Sequence, residues 1–190
     1  MTRTFIALEL HEALQHHLSG MIRQMAFVLP DLRWVDPATI HLTLAFLGEL
    51  NDEQLVLAMQ VAQAAAQSTE AFDYRLSHLG IFGSKRYPRV IWVGIEETSG
   101  TLLRLHRVLN HALEQRGFAV DTRSFSPHLT LSRVKASLSP EEIQTLQRFL
   151  GDKRRFAASP SNHVSHINVM KSELARACAK YVCLKAYPLC

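Results

Sequence analysis

"HLTLAF" occupies residues 41–46 and "HLTLSR" occupies residues 128–133, so the same tetrapeptide returns after 128 − 41 = 87 positions. In an extended strand, residues i and i+2 share one face, while i+1 and i+3 take the other. The first copy is therefore predicted to be a strand that projects His41 and Thr43 together from one face. Its two leucines are predicted to enter the core on the opposite face.

The second copy repeats this placement, with His128 beside Thr130 on the face opposite its leucines. The surroundings also match, because a predicted helix precedes and follows each copy. The two halves of the chain therefore form a coarse internal duplication with no linker between them. If the halves pack about a pseudo-twofold axis, the two His-Thr pairs meet across a cleft.

The sixth residue differs between the copies, since it is Phe46 in the first and Arg133 in the second. Strand alternation puts Phe46 on the face of the buried leucines, so core packing is predicted for it rather than base stacking. The same alternation puts Arg133 on the side of Leu129 and Leu131. A contact between Arg133 and substrate therefore requires that the strand end or twist at this point.

Helical patterns alternate along the chain with strands or strand pairs. Several of the strand pairs are hairpin-like, which favours an antiparallel or mixed sheet. Helices are expected over 11–29, 53–67 and 100–117, and a fourth is expected to begin at Ser139-Pro140-Glu141. Strands are expected within 3–10, 33–50, 72–83, 89–95, 118–134, 163–172 and 180–189.

Length and composition indicate an ordinary globular protein, with 190 residues, 47% hydrophobic and 20% charged. We expect one domain over 1–190, built from two closely packed lobes. No apolar run approaches the roughly 18 residues that a membrane span needs, and no secretory signal is recognisable at the start. A cytoplasmic monomer is therefore predicted.

The cysteines give no sign of a disulfide framework or a zinc site. Cys178, Cys183 and Cys190 are odd in number, cluster at the end of the chain and form no CxxC pair. Reduced thiols are predicted. The net charge of +4 suits a phosphate-bearing ligand but does not indicate a long nucleic-acid footprint.

Two imidazoles and two hydroxyls facing one cleft suit the cleavage of a phosphodiester. A histidine pKa near 6.5 lets one imidazole act as base and the other as acid at neutral pH. The threonine hydroxyls can donate hydrogen bonds to anionic oxygens. Each general acid or base contributes about 10²–10⁴ in rate. This chemistry requires no metal and no cofactor.

Two other interpretations compete for these histidines. A single HxT is more often a strand histidine with a structural hydrogen bond, but two copies in matching contexts change that balance. Metal binding is the next alternative, yet two histidines without an acidic residue or cysteine at ligand spacing form an incomplete ligand set. Five of the 10 histidines fall in helical patterns and are predicted to have no chemical role: His11, His16, His17, His106 and His111.

Together with the two motifs, several segments resemble a known family. They are "RTFIALEL", "LRWVDPATIHLTLAFLGEL", "RVIWVGI", "FSPHLTLSRV" and "VMKSELARACAKYVCLKAYPL", and they occur in the family's order. The chain resembles the two-histidine (2H) phosphoesterases, in particular the bacterial and archaeal RNA 2′,3′-cyclic phosphodiesterases, also called 2′-5′ RNA ligases. The resemblance implies a bilobal α+β fold, with two pseudo-symmetric antiparallel sheets, outer helices and a central cleft that carries both HxTx motifs.

The resemblance also implies roles for the residues of the motifs. His41 would protonate the leaving oxygen, and His128 would be the base that activates water. Thr43 and Thr130 would bind the phosphate oxygens, and Arg133 matches a basic position that is frequent in bacterial members. The residues alone do not separate acid from base.

Three functional interpretations remain open from the sequence. The first is hydrolysis of 2′,3′-cyclic phosphates on RNA ends or nucleotides to 2′-phosphomonoesters. The second is reversible 2′-5′ ligation of RNA by the same proton transfers. The third is an RNA-binding module without physiological catalysis, against which the two intact His-Thr pairs and the modest basic charge argue. Separately, the basic turn at Lys85, Arg86 and Arg89 either lines the RNA side of the cleft or is a solvated hairpin tip.

Overall fold

The computed structural model describes residues 1–152, 156, 158–174 and 179–190. Nine strands and four α-helices are found in these residues, with a short 3₁₀ helix at Pro37–Thr39. The strands are β1 (Thr2–Glu9), β2 (Arg33–Trp34), β3 (His41–Leu50), β4 (Phe72–Gly83), β5 (Pro88–Glu96), β6 (His128–Arg133), β7 (Asn162–Val164), β8 (His166–Leu174) and β9 (Ala179–Pro188). The helices are α1 (Glu12–Val28), α2 (Asp52–Gln67), α3 (Thr101–Glu114) and α4 (Pro140–Gly151).

The strands form two sheets, with the orders β3-β1-β8-β9 and β2-β6-β5-β4-β7. Every paired strand is antiparallel to its neighbour, so the antiparallel alternative of the prediction is correct. The bilobal α+β fold implied by the resemblance is confirmed. One expected strand, residues 163–172, is in fact divided at Ser165 into β7 and β8, which belong to different sheets.

An internal duplication is visible in the order of the elements. The first half runs β1-α1-β3-α2, and the second runs β5-α3-β6-α4, apart from the two-residue strand β2. In each half the motif strand lies beside the strand that opens the unit, β3 beside β1 and β6 beside β5. The two HLTL segments therefore occupy equivalent positions in the two sheets.

A capping box begins the helix that follows each motif strand. Asn51 accepts a hydrogen bond from the Gln54 backbone N–H at 2.8 Å, and Ser139 accepts one from the Glu142 backbone N–H at 3.2 Å. In both boxes the third helical residue bonds back to the cap residue. These boxes satisfy amide groups that the first helical turn leaves unpaired, and they fix where α2 and α4 start.

The main core contains buried apolar residues from both sheets and from all four helices in one continuous cluster. The four motif leucines belong to it, and none is more than 2% exposed. A fully buried leucine contributes about 1.5–3 kcal/mol relative to an exposed one. The leucines of the repeat therefore anchor both motif strands, as strand alternation predicted.

Within the described residues, no helix combines the length and apolar character needed to cross a membrane. Cys183 and Cys190 are free and exposed. Cys178 lies outside the described residues.

Candidate active site

A β-bulge interrupts each motif strand at the same residue of the repeat. In the pairing of β1 with β3, Ile6 is opposite Ala45 and Ala7 is opposite Thr43, so Leu44 is the extra residue. In the pairing of β5 with β6, Leu131 is likewise the extra residue without a partner on the neighbouring strand. A bulge places two residues opposite one and shifts the alternation of the strand beyond it. The fifth residue of each copy is consequently buried, and the sixth is exposed.

Because of this shift, the prediction that Phe46 packs in the core is wrong. Its side chain is 53% exposed and lines the cleft, with the guanidinium carbon of Arg3 located 5.2 Å from the ring centroid. Strict alternation failed here because the bulge at Leu44 turns Phe46 onto the same face as Thr43.

The bulge at Leu131 also determines the direction of the Arg133 side chain. Simple alternation put Arg133 with the buried leucines, but Ser132 takes the buried position and Arg133 lines the cleft with His128 and Thr130. The twist that a contact with substrate requires is therefore present in the strand. A repeated bulge leaves no signal in the residue types, so the sequence alone did not reveal it.

Both motif imidazoles are held by the same main-chain contact. The Nδ1 of His41 lies 2.8 Å from the carbonyl oxygen of Thr39, and the Nδ1 of His128 lies 2.7 Å from that of Ser126. A carbonyl oxygen only accepts hydrogen bonds, so each Nδ1 carries a proton and donates it. This fixes the tautomer and leaves each Nε2 available to exchange a proton with a ligand.

The ring of His41 is packed against two aromatic side chains. It stacks on Phe5 at a centroid distance of 4.7 Å, and Tyr181 meets it edge-on at 5.0 Å. Burial lowers the pKa of His41 below its ordinary value of 6.5, and the nearby charge of Arg133 lowers it further. The hydrogen bond to Thr39 acts in the opposite direction. In the absence of a ligand, His41 is therefore biased toward its neutral form.

The ring of His128 also contacts two aromatic side chains, Phe82 at 4.8 Å and Trp92 at 5.9 Å between centroids. Trp92 lies directly over Gly80 of the neighbouring strand. A Cβ at Gly80 would stand only 2.2 Å from Cζ2 of the indole, so only glycine allows this close approach. The aromatic support of His128 therefore depends on a residue two strands away.

A cavity of about 800 Å³ lies between the two motif strands. Thr43, His128, Thr130 and Arg133 all line it. His41 stands beside the cavity, partly covered by its aromatic neighbours, and the electrostatic effect of Arg133 reaches its ring. The strands β3 and β6 contact each other although they belong to different sheets. The structure thus brings the five predicted site residues into one region.

The far wall of this cavity was not predicted from the sequence. His106, which was expected to have no role, is half-buried on α3 and stacks on Phe125 at a centroid distance of 3.7 Å. Burial lowers the pKa of His106, and the nearby carboxylate of Asp121 opposes that shift. Asn110 lies one turn further along α3 and donates to the carbonyl oxygens of Leu44 and His106. The side-chain amide of Asn110 therefore links the far wall of the cavity to the β-bulge at Leu44.

The basic turn between β4 and β5 lies just beyond the cleft. Phe82 and Val90, which are paired with each other, line the cavity, and the exposed residues Lys85 and Arg86 lie at the tip of the same hairpin. A reciprocal pair of backbone hydrogen bonds between Ser84 and Tyr87 closes the turn. The tip is therefore ordered, and it carries its charges on the side of the second lobe.

No cluster of three or more His, Cys, Asp or Glu side chains is arranged to hold a metal ion in the part of the chain that the structure describes. The motifs bring to the cleft the imidazole of His128, two threonine hydroxyls and a guanidinium, and the imidazole of His41 lies beside it. Imidazoles exchange protons near neutral pH, and hydroxyl and guanidinium groups donate to anionic oxygens. The fold and its cleft thus define a bilobal α+β protein equipped for acid-base chemistry on a phosphoryl group.

Comparisons with known proteins agree with this class. The family model described as the 2'-5' RNA ligase superfamily matches residues 11–176, so the chain belongs to that superfamily. The chain is 29% identical over 187 residues to an RNA 2',3'-cyclic phosphodiesterase of Methanothermobacter thermautotrophicus, with 98% of each chain covered. The resemblance drawn from the two motifs is confirmed.

Two solved structures show how closely the fold is shared. The protein TT0787 of Thermus thermophilus superposes with a TM-score of 0.79 at 25% identity, covering 98% of this chain and 97% of that one. E. coli LigT complexed with 3'-AMP gives a TM-score of 0.75 at 26% identity, covering 99% and 98% of the two chains. That relative therefore binds a nucleotide on the same fold.

Proposed function

We propose that this chain is an RNA 2′,3′-cyclic phosphodiesterase, a hydrolase that opens the cyclic phosphate to a 2′-phosphomonoester. The observation that carries the proposal is the duplicated geometry at the cleft. Two histidines are fixed with Nδ1 on a main-chain carbonyl, and each is followed two residues later by a threonine hydroxyl. The phosphodiesterase activity in the name of the Methanothermobacter relative supports the same substrate.

The reaction requires two proton transfers on opposite sides of phosphorus. One imidazole takes a proton from water as the oxygen attacks phosphorus, and the other donates a proton to O3′ as the P–O3′ bond breaks. Water and the leaving oxygen must lie roughly in line, which one histidine on each lobe satisfies. Thr43 and Thr130 donate hydrogen bonds to the non-bridging oxygens, where negative charge accumulates. The product has a 2′-phosphate and a free 3′-hydroxyl.

The family resemblance assigns the acid to His41 and the base to His128. An acid must be protonated before it acts, and burial lowers the pKa of His41 in the free protein. A bound cyclic phosphate brings a negative charge close to that imidazole, which favours its charged form. Substrate binding should therefore be coupled to proton uptake by His41.

The sixth residues of the two copies complete the proposal. Arg133 is a permanent cation at the cleft and is suited to a phosphate oxygen. Phe46 offers an exposed ring on the other lobe, which suits stacking with a nucleobase. Because the sixth residue is an aromatic ring on one lobe and an arginine on the other, the two sides of the cleft differ, and a nucleotide fits better in one orientation than in the reverse.

Turnover of a 2′,3′-cyclic mononucleotide in the presence of EDTA tests the proposal. We expect hydrolysis in the chelator at the rate seen without it, and a single product with the phosphorus NMR signal of the authentic 2′-monophosphate. A 3′-monophosphate would show that the ribose lies reversed and that the leaving oxygen is misassigned. No turnover of cyclic mononucleotides or of RNA ends with a cyclic phosphate would refute the function.

The family description supports a second candidate activity, 2′-5′ ligation of RNA. In that reaction a 5′-hydroxyl replaces water, attacks the cyclic phosphate and displaces O3′, with the same acid and base. Incubation of a strand ending in a cyclic phosphate with a 5′-hydroxyl strand, followed by gel analysis, tests it. A joined product that resists RNases specific for 3′-5′ bonds is expected if ligation occurs.

Three further predictions concern the whole protein: one domain over 1–190, a monomeric state and a cytoplasmic location. Limited proteolysis, light scattering on a sizing column and fractionation of cells test them in turn. A stable proteolytic fragment would contradict the single domain, and a dimer mass would contradict the monomer. Recovery of the protein in the membrane fraction would contradict the cytoplasmic location.

A further inference from the structure

A second arginine lies directly across the strand pair from Arg133. In the pairing of β2 with β6, Arg33 is the Cα partner of Arg133. Residues directly opposite each other in an antiparallel pair point to the same face of the sheet. Arg33 is exposed, and Arg133 lines the cleft. The two guanidinium groups therefore share the cleft face at the edge of the second lobe, with Arg33 just outside the residues that line the cavity.

The short strand β2 is held firmly enough to fix this position. Ser132, which is fully buried, donates from its hydroxyl to the Arg33 carbonyl oxygen at 3.0 Å. The backbone N–H of Val35 donates to the carbonyl of Leu131 at 2.8 Å. On the opposite face of β2, the Trp34 indole donates to the Leu29 carbonyl. Successive residues of a strand point to opposite faces. Because Trp34 points toward the core, Arg33 points to the cleft side.

Two like charges directly opposite each other in a sheet destabilise it. Among the described residues neither Arg33 nor Arg133 forms a salt bridge with a carboxylate. A cyclic phosphate carries one negative charge, which the proposed contact with Arg133 already uses. Arg33 therefore suits a second anion located immediately beside the first.

We propose that Arg33 binds the phosphate on the 5′ side of the terminal nucleotide, so that the site recognises RNA ends in preference to cyclic mononucleotides. The proposal rests on the function argued above. In an RNA strand the anion nearest the terminal cyclic phosphate is the phosphodiester that links the preceding nucleotide. A nucleoside 2′,3′-cyclic phosphate with a 5′-hydroxyl lacks it. With Arg133 on the cyclic phosphate and Arg33 on the preceding phosphodiester, the site would bind an RNA end and not only a single phosphate.

Three substrates with the same base separate this proposal from the general function. They are adenosine 2′,3′-cyclic phosphate, the same compound with a 5′-phosphate, and the dinucleotide ApA ending in a cyclic phosphate. For the natural sequence we expect kcat/KM to be about tenfold higher for the two compounds with the additional phosphate, since that phosphate adds a charge-assisted contact with Arg33. The advantage should shrink as salt rises, because phosphate contacts are salt-dependent.

The variant Arg33→Gln should lose most of this advantage while Arg33→Lys keeps part of it. A matched control is Arg23→Gln, which removes the same charge from the exposed side of α1 and should leave the ratio unchanged. Thermal melting checks that each variant is folded.

Equal kcat/KM for all three substrates in the natural sequence would overturn the proposal while leaving the phosphodiesterase function intact. The proposal would also be overturned if the ratio of kcat/KM with the additional phosphate to kcat/KM without it were the same in Arg33→Gln as in the natural sequence. If the natural sequence hydrolyses none of the three substrates, the proposed function itself fails. Hydrolysis of all three at equal kcat/KM overturns only the role of Arg33, so the two failures are distinguishable.

Discussion

The first copy of the repeat packs its histidine against Phe5 and Tyr181, whereas the second packs its histidine against Phe82 and Trp92. The backbone of the two copies is nearly the same, with a carbonyl bonded to Nδ1 and a bulge at the fourth residue in both. The two copies differ in the side chains around this shared frame. Under the proposed function, the shared part supplies two proton-transfer groups, and the differences around them suit unequal roles.

The inequality is clearest at the sixth residue, which is an exposed aromatic ring in one copy and an arginine in the other. A perfectly symmetric site would accept a cyclic phosphate in two orientations and release either product. An aromatic sixth residue on one side and an arginine on the other favour a single orientation. Under the proposed function, these departures from symmetry would favour cleavage of one P–O bond over the other.

Removing either imidazole should produce the largest loss. We expect His41→Ala and His128→Ala each to lower kcat by about 10²–10⁴. The double variant should lose much less than the sum of the single losses, because the two groups act in one step. Steady-state kinetics with a cyclic mononucleotide measure this, with melting curves as the control for folding. Strictly additive losses would contradict a shared step.

Changing the sixth residues should affect the two lobes differently. Arg133→Gln removes a charge from the reacting phosphate, so we expect kcat/KM to fall by about 10²-fold. Phe46→Leu keeps an apolar side chain but removes the stacking surface, which is worth about 1–3 kcal/mol per base. Its effect should therefore be mainly a higher KM. Identical kinetic changes in the two variants would argue against distinct roles.

A smaller loss is expected from a residue that does not touch substrate. Gly80→Ala puts a methyl group where the Trp92 indole lies, and we expect the displaced indole to disturb His128 and lower kcat about tenfold with little change in KM. Trp92→Phe in the same variant should restore part of the loss, because the smaller ring leaves room for the methyl group. The control is Gly20→Ala in α1, where the added methyl meets no atom within 4 Å apart from its chain neighbours and the backbone of its own helix. If both glycine variants behave alike, Gly80 does not act through Trp92.

Much of the fold and site was predictable because the repeat carries strong local signals. Alternating leucines predicted the motif strands, and the residues that start α2 and α4 form the capping boxes. The expectation that His41 and His128 serve one site came from finding two matching copies in matching contexts. A resemblance over most of the chain then supplied the lobes and the sheets.

The rest depended on interactions that no local pattern encodes. A β-bulge is set by the pairing of two strands, so the exposure of Phe46 and Arg133 was hidden until both partners were known. Arg33 and Arg133 meet because β2 and β6 pair, although 133 − 33 = 100 positions separate them in the chain. His106 was correctly assigned to a helix, but Phe125, which stacks on it, belongs to the loop that precedes β6.

The smallest effect expected is a change in the titration of one imidazole, and it tests the inequality of the copies most directly. Burial, assisted by the charge of Arg133, lowers the pKa of His41, so its C2 proton resonance should titrate below pH 6.5 in the free protein. A neighbouring positive charge disfavours the protonated ring, so removing it in Arg133→Gln should raise the pKa toward the ordinary value. Binding of a 2′-monophosphate product should raise it too, since an anion favours the charged ring. The spectrum of His41→Asn identifies the resonance, and Arg23→Gln should leave the titration unchanged. A His41 that titrates above pH 6.5 without ligand, or that moves lower in Arg133→Gln, would contradict the burial and charge that distinguish the first copy.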